Sequence, residues 1–270
     1  MSYFDMVTKQ TLSEILKQEW EVDNRAVWKD GSPIMTKRIF GVVNRYNLAK
    51  EFPVPTLRPL PLKTIFEEID WIYIKQSNNV NDLNSTIWDA WADETGSIGA
   101  AYGAQVAKPV FGYENQMDYI LGEIQKNPTS RRLVIELWNV NELDEMNLPP
   151  CAHHLQFVVK NGKVNLILKQ RSQDFLVANA FNVCEYSIFV HMVARHCCLE
   201  VGELIHIIGD CHIYNKHIEQ AEELMSREPY PVTPTLWINP EKTDFYSFTA
   251  DDFKLKNYFR HLQLKFDVAV

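Results

Sequence analysis

The segment Pro149-Pro150-Cys151 places a cysteine directly before a run of residues typical of a β-strand. Because two prolines restrict the backbone ahead of it, the thiol is predicted to lie at a defined end of that strand. A cysteine thiolate is a strong nucleophile, and neighbouring positive charge favours the thiolate over the thiol. Cys151 is therefore a candidate nucleophile, and a buried structural cysteine is the alternative interpretation.

A polar cluster, Arg171-Ser172 with Asp174, follows a second predicted strand. An arginine fork, a hydroxyl donor and a carboxylate acceptor can together bind a phosphate and a polar ring. A solvated strand end is the competing interpretation. The pair Arg131-Arg132 is a weaker candidate, since paired basic residues after a helix usually face solvent.

Glu68 lies on a helix predicted to start near Thr64, where Thr64 and Glu67 have the spacing of a capping box. On that helix it shares a face with Ile65 and Ile72. Burial on an apolar face raises the pKa of a carboxyl group, which suits a general acid or base near neutral pH. The alternative is a carboxylate paired with a nearby arginine.

Trp88 and Trp91 flank a short polar stretch. Such a pair can stack on a flat heterocycle, although aromatic pairs more often pack in a core. None of these signals identifies a function when it is taken alone.

The overall composition excludes several classes of protein. The net charge of -8 over 270 residues argues against nonspecific nucleic-acid binding, so DNA is not an expected partner. No apolar run approaches the roughly 18–20 residues of a membrane span, and the N-terminus has no signal-peptide core. Five irregularly spaced cysteines indicate reduced thiols and a cytoplasmic location. Their spacing does not match a zinc site, and no metal is expected.

Strand-like and helix-like segments interleave without a regular βαβ rhythm, which predicts an α+β (mixed α/β) fold in a single domain, residues 1–270. A tight turn at Asn161-Gly162 is predicted to join two strands, HLQFVVK and KVNLILKQ. Another strand is expected over LVIELW and a further one over ELIHIIGDCHIY. Helices are predicted over residues 11–20, 64–76, 115–126, 182–198 and 215–225.

Taken together and in order, several segments resemble the thymidylate synthase family over nearly the whole chain. They are TIWDAWADE, TSRR, LWNVNELDEM with LPPC, QRSQD, FNV, IGDCHIY, SREP and the tail VAV. The resemblance implies a large mixed sheet packed face to face in a two-fold dimer. It implies dUMP as substrate and 5,10-methylenetetrahydrofolate as co-substrate.

The resemblance also implies roles for individual residues. In catalysis it implies Cys151 as the nucleophile, Glu68 as a proton relay, Tyr102 near the nucleophile, and Asp174. The expected dUMP contacts are Arg171, Ser172, Arg25 from an early loop, Asn182 at the uracil edge, His212 and Tyr214, with Arg131 and Arg132 from the other subunit. The expected folate contacts are Trp88, Trp91, Asp174, Val177, Ala178, Phe181, Ala269 and Val270.

Some positions depart from the family pattern: Asp70, His153, His154, Ala178 and Ala180. Ala178 stands where the family brings backbone close to the folate. Three hypotheses therefore stay open: a synthase that makes dTMP, a dUMP hydroxymethylase that adds water instead of hydride, and a weakly catalytic binding paralogue. We expect the synthase.

Overall fold

The computed structural model describes residues 2–28 and 30–266, apart from the side chains of residues 25–27. Among the residues expected to form the site, the side chain of Arg25 and both Ala269 and Val270 lie outside the described part. The backbone of Arg25 belongs to a strand rather than to the expected loop.

A six-stranded sheet forms the centre of the molecule, in the order β1-β2-β6-β5-β4-β3. Neighbouring strands are antiparallel except β5 and β6, which are parallel. The sheet is therefore mixed, as the α+β prediction requires. Its strands are β1 (Glu21–Val27), β2 (Pro33–Asn47), β3 (Val134–Glu136), β4 (Ala152–Lys160), β5 (Lys163–Asp174) and β6 (Glu200–Tyr214).

The described helices pack around this sheet, and a small hairpin of two further strands lies near the C-terminus. The helices are α1 (Tyr3–Leu16), α2 (Leu62–Ile69), α3 (Gly103–Val106), α4 (Gln116–Lys126), α5 (Asn179–His196) and α6 (Ile218–Ser226). The small hairpin consists of β7 (Thr235–Ile238) and β8 (Phe253–Lys256).

The predicted hairpin is confirmed. Strands β4 and β5 pair antiparallel around Asn161 and Gly162, whose φ angles are 52° and 72°. Two successive positive φ angles are the signature of a type I′ turn, which asparagine and glycine tolerate best. The second strand is longer than predicted, so Arg171, Ser172 and Asp174 lie within β5 rather than beyond it.

Helix α5 is the central helix that its wide apolar surface predicts. Most of its length is buried, including Val183, Ile188, Phe189 and Val193. It begins at Asn179, three residues earlier than expected. Because it packs on the sheet beside α2, it holds its own polar residues close to those of α2.

The predicted start of α1 and the predicted capping box of α2 are wrong. Helix α1 begins at Tyr3 rather than near residue 11. The apolar pattern does not reveal its first turns, because a buried polar residue, Asp5, interrupts that pattern. Asp5 accepts hydrogen bonds from the backbone N–H and the hydroxyl of Thr56. Helix α2 begins at Leu62, after Pro61, so Thr64 lies inside the helix and forms no capping box.

Beyond α2 the chain continues as a π-helical turn over Asp70–Ile74, within the predicted range. Asp70, one of the departures from the family pattern, pairs with Lys75 at 2.8 Å between Oδ2 and Nζ. This ion pair joins half-buried Asp70, the first residue of the turn, to the residue that follows the turn.

Candidate active site

Cys151 lies immediately before β4, and its backbone is held from both sides. Its N–H donates to the hydroxyl oxygen of Tyr102 over 3.1 Å. Its carbonyl oxygen accepts from the N–H of Arg171 over 2.9 Å. The residue is half-buried. These two contacts place the thiol at a defined point between a loop and the sheet.

The guanidinium of Arg171 forms hydrogen bonds with the backbone of the two residues before the cysteine. Its Nε donates to the carbonyl oxygen of Pro150 at 3.1 Å, and its Nη2 donates to that of Pro149 at 2.8 Å. The indole of Trp138 lies over the guanidinium at 5.7 Å. A planar fork that bonds two carbonyls at once keeps a positive charge next to the segment that carries Cys151.

Glu68 is buried on α2, with 6% of its surface exposed. Ile65 on the same helix and Ile72 in the π-helical turn that follows are buried as well. The indole Nε1 of Trp88 donates to Oε1 of Glu68 over 2.6 Å. Burial raises the pKa of Glu68 to about 7, and the Trp88 hydrogen bond opposes that change. The predicted general acid or base therefore titrates near neutral pH.

Tyr102 contacts both Trp88, the hydrogen-bond partner of Glu68, and Cys151. Its ring meets that of Trp88 edge-on at a centroid distance of 4.9 Å, while its hydroxyl accepts from Cys151. The φ angle of Tyr102 is 46°, which is unusual for a residue with a side chain. A Cβ at the next residue, Gly103, would lie 2.1 Å from the carbonyl oxygen of Ser77. The tyrosine is thus held in place by a close backbone approach that only glycine permits.

A cavity of about 310 Å³ opens beside Arg171 and Ser172. Its lining includes two arginines, one histidine and several carboxylates, so both signs of charge are present. The lining residues are Glu21, Val22, Asp23, Asn24, Thr36, Arg38, Arg171, Ser172, Asp210 and His212.

Arg38 was not among the residues predicted for this site. It pairs with Glu21 and with Asp210, the latter at 3.1 Å, and Asp210 also contacts Nδ1 of His212 at 2.8 Å. Arg38 reaches the cavity because β2 pairs with β6 in a register that sets it opposite His212. No local motif surrounds Arg38, so only the strand pairing could have identified it.

His212 is buried, and the ring of Tyr214 meets it edge-on at 5.0 Å. Both residues lie near the end of β6, next to the end of β5. The register places Asp174 opposite His212, and burial raises the pKa of Asp174 although His212 and His217 oppose this. His212, one of the expected dUMP contacts, thus lies next to Asp174.

Asp174 shapes the turn that leads into α5. Its Oδ1 accepts from the N–H groups of Leu176 and Val177 at 3.2 and 3.1 Å, and Ala178 then immediately precedes the helix. Phe181 follows on the first turn of α5, half-buried against the core.

Asn182 makes three side-chain contacts. Its Oδ1 accepts from Gln170 and Gln173, and its Nδ2 donates to Glu185. Sequence reasoning singled out Asn182 but neither the two glutamines nor Glu185. A buried glutamate on the helix that follows FNV is the signal that could have pointed to the last of them.

Trp91 packs edge-on against Trp88 at 5.5 Å and remains half-buried.

Arg131 and Arg132 are exposed, and neither is among the residues that line the cavity in their own chain. His153 and His154 flank Glu136, at 3.6 and 2.8 Å.

Within residues 2–28 and 30–266, no three His, Cys, Asp or Glu side chains come together as a metal-binding group. No helix in this part of the chain is long and apolar enough to cross a bilayer. None of the five cysteines, all within the described residues, forms a disulfide.

Known proteins resemble this chain along its full length. The thymidylate synthase family model matches residues 7–270. Thymidylate synthase from Bacillus mojavensis is 42% identical and that of Bacillus phage phi3T 40% identical, each over 100% of both chains. The solved structure of thermostable thymidylate synthase A from Bacillus subtilis aligns with a TM-score of 0.92, at 40% identity over 99% of each chain.

These relatives are all synthases, which favours the first of the three hypotheses. The matched length exceeds any single motif and includes Cys151, Glu68 and Arg171. The chain therefore belongs to the thymidylate synthase family, methyltransferases that convert dUMP to dTMP with methylenetetrahydrofolate as co-substrate.

Proposed function

We propose that Cys151 is the nucleophile of this reaction and that its sulfur adds to C6 of the uracil ring of dUMP. The observation that carries the proposal is the double anchoring of Cys151, by the Tyr102 hydroxyl and the Arg171 backbone. A nucleophile held at one position loses little freedom when the substrate arrives. The neighbouring guanidinium favours the negative sulfur.

Addition of sulfur to C6 makes C5 of the ring nucleophilic, and the C5 proton must later leave. Glu68 is the group assigned to these proton transfers, because its pKa of about 7 lets it both accept and release a proton near neutral pH. The Trp88 hydrogen bond holds the carboxyl in place. Departure of the Cys151 sulfur from C6 completes the cycle and frees the thiolate.

The folate supplies the one-carbon unit and the hydride. The aromatic residues expected to contact the folate are Trp88, Trp91 and Phe181. Asp174, Val177 and Ala178 are the expected contacts at the adjoining turn. Trp91 and Phe181 are half-buried against the core, which leaves part of each ring open to a flat heterocycle. Aromatic surface of this kind fits a pterin ring.

The cavity at Arg171 and Ser172, which His212 also lines, is the proposed phosphate site. His212 and Tyr214, whose rings meet edge-on, are the proposed sugar contacts. Arg38 is an additional cation there, although Glu21 and Asp210 neutralise it in the described structure. A phosphate dianion benefits from further positive charge. Arg25, and Arg131 with Arg132 from a second subunit, are proposed to supply it.

We propose a homodimer formed by the outer face of the sheet. That face carries apolar side chains that are only partly covered: Val43, Val158, Ile167, Ile205 and Ile207. The strand register sets Val43 beside Ile207 and Ile167 beside Ile205, so they form one patch. A second copy packed face to face would remove this surface from water.

Residues 1–270 are proposed to form one catalytic domain, since the main cluster of buried residues draws on segments from Phe4 to Phe253. The five free cysteines support the cytoplasmic location proposed for the chain.

Product analysis tests the proposed function. The chain is incubated with dUMP and methylenetetrahydrofolate, and nucleotide and folate products are separated. We expect dTMP and dihydrofolate in equal amounts. Formation of 5-hydroxymethyl-dUMP with unoxidised tetrahydrofolate would support the hydroxymethylase, and the absence of turnover would support the binding paralogue.

A further inference from the structure

The side-chain amide of Asn182 is held in one orientation. Its Oδ1 accepts from Nε2 of Gln170 at 3.3 Å and from Nε2 of Gln173 at 3.1 Å. Gln170 is itself oriented, because Oε1 of this residue contacts Nε2 of buried His206. The opposite end of the Asn182 amide, Nδ2, lies 3.3 Å from Oε2 of Glu185. The amide therefore has acceptor and donor ends that face different partners.

Glu185 is the unexpected member of this group. It lies three residues after Asn182 on α5, and only 2% of its surface is exposed. Its Oε1 is buried and has no hydrogen-bond partner within the described residues. Burial raises the pKa of Glu185 well above its usual range, and nearby Glu68 raises it further. Tyr73 and Tyr186 also lie close to Glu185.

We propose that Glu185 is a positioning residue for Asn182 and thereby contributes to the choice of uracil over cytosine. This inference rests on the proposed function and on the contact of Asn182 with the uracil edge that the family resemblance implies. Glu185 accepts one hydrogen of Nδ2, while two glutamines occupy the lone pairs of Oδ1.

The polar group that remains for the base is the second N–H of Asn182. A donor at this point pairs with the O4 carbonyl of uracil, whereas cytosine presents an amino donor at the same ring position. Two donors facing each other lose the hydrogen bond and repel. If Glu185 no longer held Nδ2, the amide could turn end for end and offer its carbonyl oxygen to cytosine.

The test compares kcat/KM for dUMP and dCMP in Glu185→Leu, which removes the acceptor and keeps the buried volume. We expect the preference for dUMP over dCMP to fall at least about fivefold, the size of one lost hydrogen bond. Glu185→Gln keeps a neutral acceptor and should hold the preference within about twofold of the wild type. Glu185→Met serves as a second apolar variant if the leucine form does not fold.

Two controls separate positioning from general damage. Ser187→Ala removes a buried hydroxyl from the same helix, one that donates to the carbonyl oxygen of Val183, and should leave the base preference unchanged. In an Asn182→Ala background, Glu185→Leu should change the preference by less than about twofold, because the amide that it positions is gone.

An unaltered preference in the folded leucine or methionine variant would overturn the inference. The inference would also be overturned if Glu185→Gln lost as much of the preference for dUMP as Glu185→Leu does. In that case charge, rather than the acceptor oxygen, would be responsible for the preference. A wild-type chain that makes no dTMP would instead refute the proposed function. The two failures are therefore distinguishable.

Discussion

Trp88 and Glu68 form a buried pair in which the indole Nε1 lies 2.6 Å from the carboxyl oxygen Oε1. The two influences on this carboxyl act in opposite directions. Burial favours its neutral form, and the indole donor favours its charged form. The balance leaves a pKa of about 7, so a small change at Trp88 should be visible in the pH dependence of catalysis.

Trp88→Phe removes the indole donor and keeps an aromatic ring. Since the hydrogen bond lowers the pKa of Glu68, its loss should raise that pKa. If ionised Glu68 is the catalytic base, the acidic limb of the kcat profile moves to higher pH by about one to two pH units, given about 1.5–3 kcal/mol for a hydrogen bond to a charged group. Trp91→Phe is the matched control and should leave the midpoint of that limb in place. A limb that stays or moves to lower pH contradicts the assignment.

Glu68→Gln should stabilise the protein at alkaline pH. The folded-state pKa, about 7, exceeds the ordinary value of 4.5, so the wild type is most favoured below pH 4.5 and loses stability as the pH rises through 7. The glutamine variant escapes this loss. We expect a gain of about 3 kcal/mol in unfolding free energy at pH 8 and under about 1 kcal/mol at pH 5, measured by urea denaturation.

Glu67→Gln is the control for this measurement, because Glu67 lies on the same helix and pairs with exposed Lys63. It should change the unfolding free energy by less than about 0.5 kcal/mol at both pH values. Equal gains for Glu68→Gln at pH 5 and pH 8 would show that Glu68 titrates normally in the folded state.

Cys151→Ala should abolish turnover and leave dUMP binding measurable by calorimetry, because the contacts to phosphate and base do not depend on the sulfur. We expect kcat to fall on the order of 10⁴-fold or more. Cys198→Ala, at an exposed cysteine beyond α5, is the matched control and should retain wild-type kcat. Substantial activity in Cys151→Ala would mean that another group is the nucleophile.

The shared phosphate site predicts complementation between two inactive variants. Arg132→Ala subunits mixed with Cys151→Ala subunits should regain part of the wild-type activity, since one site of each mixed dimer receives an intact cysteine and an intact arginine. Dimer formation and subunit exchange are followed by mass spectrometry. Exchange without any recovery of dTMP synthesis would argue that Arg132 does not act on the other subunit's site.

Gly103→Ala should destabilise the protein and impair catalysis together. The added methyl group would sit 2.1 Å from the carbonyl oxygen of Ser77, so the backbone must move, at a cost of about 1–3 kcal/mol. That movement displaces Tyr102, and with it the contact to Cys151. Thermal unfolding and kcat measure the two effects. Ala107→Ser, at an exposed position just after α3, should stay within about 0.5 kcal/mol of the wild type.

Local features of the chain could be predicted from the sequence because their causes are local. Asn161 and Gly162 specify a turn with two positive φ angles, whichever core the strands join. Glu68 lies beside buried Ile65 because residues three apart on a helix share one face. The resemblance to the family depended on ordered motifs, and the matched length confirmed it.

Other features were decided by the tertiary structure, because they join residues far apart in the chain. Arg38 meets Asp210 only through the register of β2 on β6. The hydroxyl of Tyr102 reaches the backbone of Cys151 across 49 positions. Residue type and spacing carry no information about such distances; packing of the sheet and α5 sets them. By itself the sequence determined which residues could do the chemistry, whereas the packed core decided which of them meet and which protons each can hold.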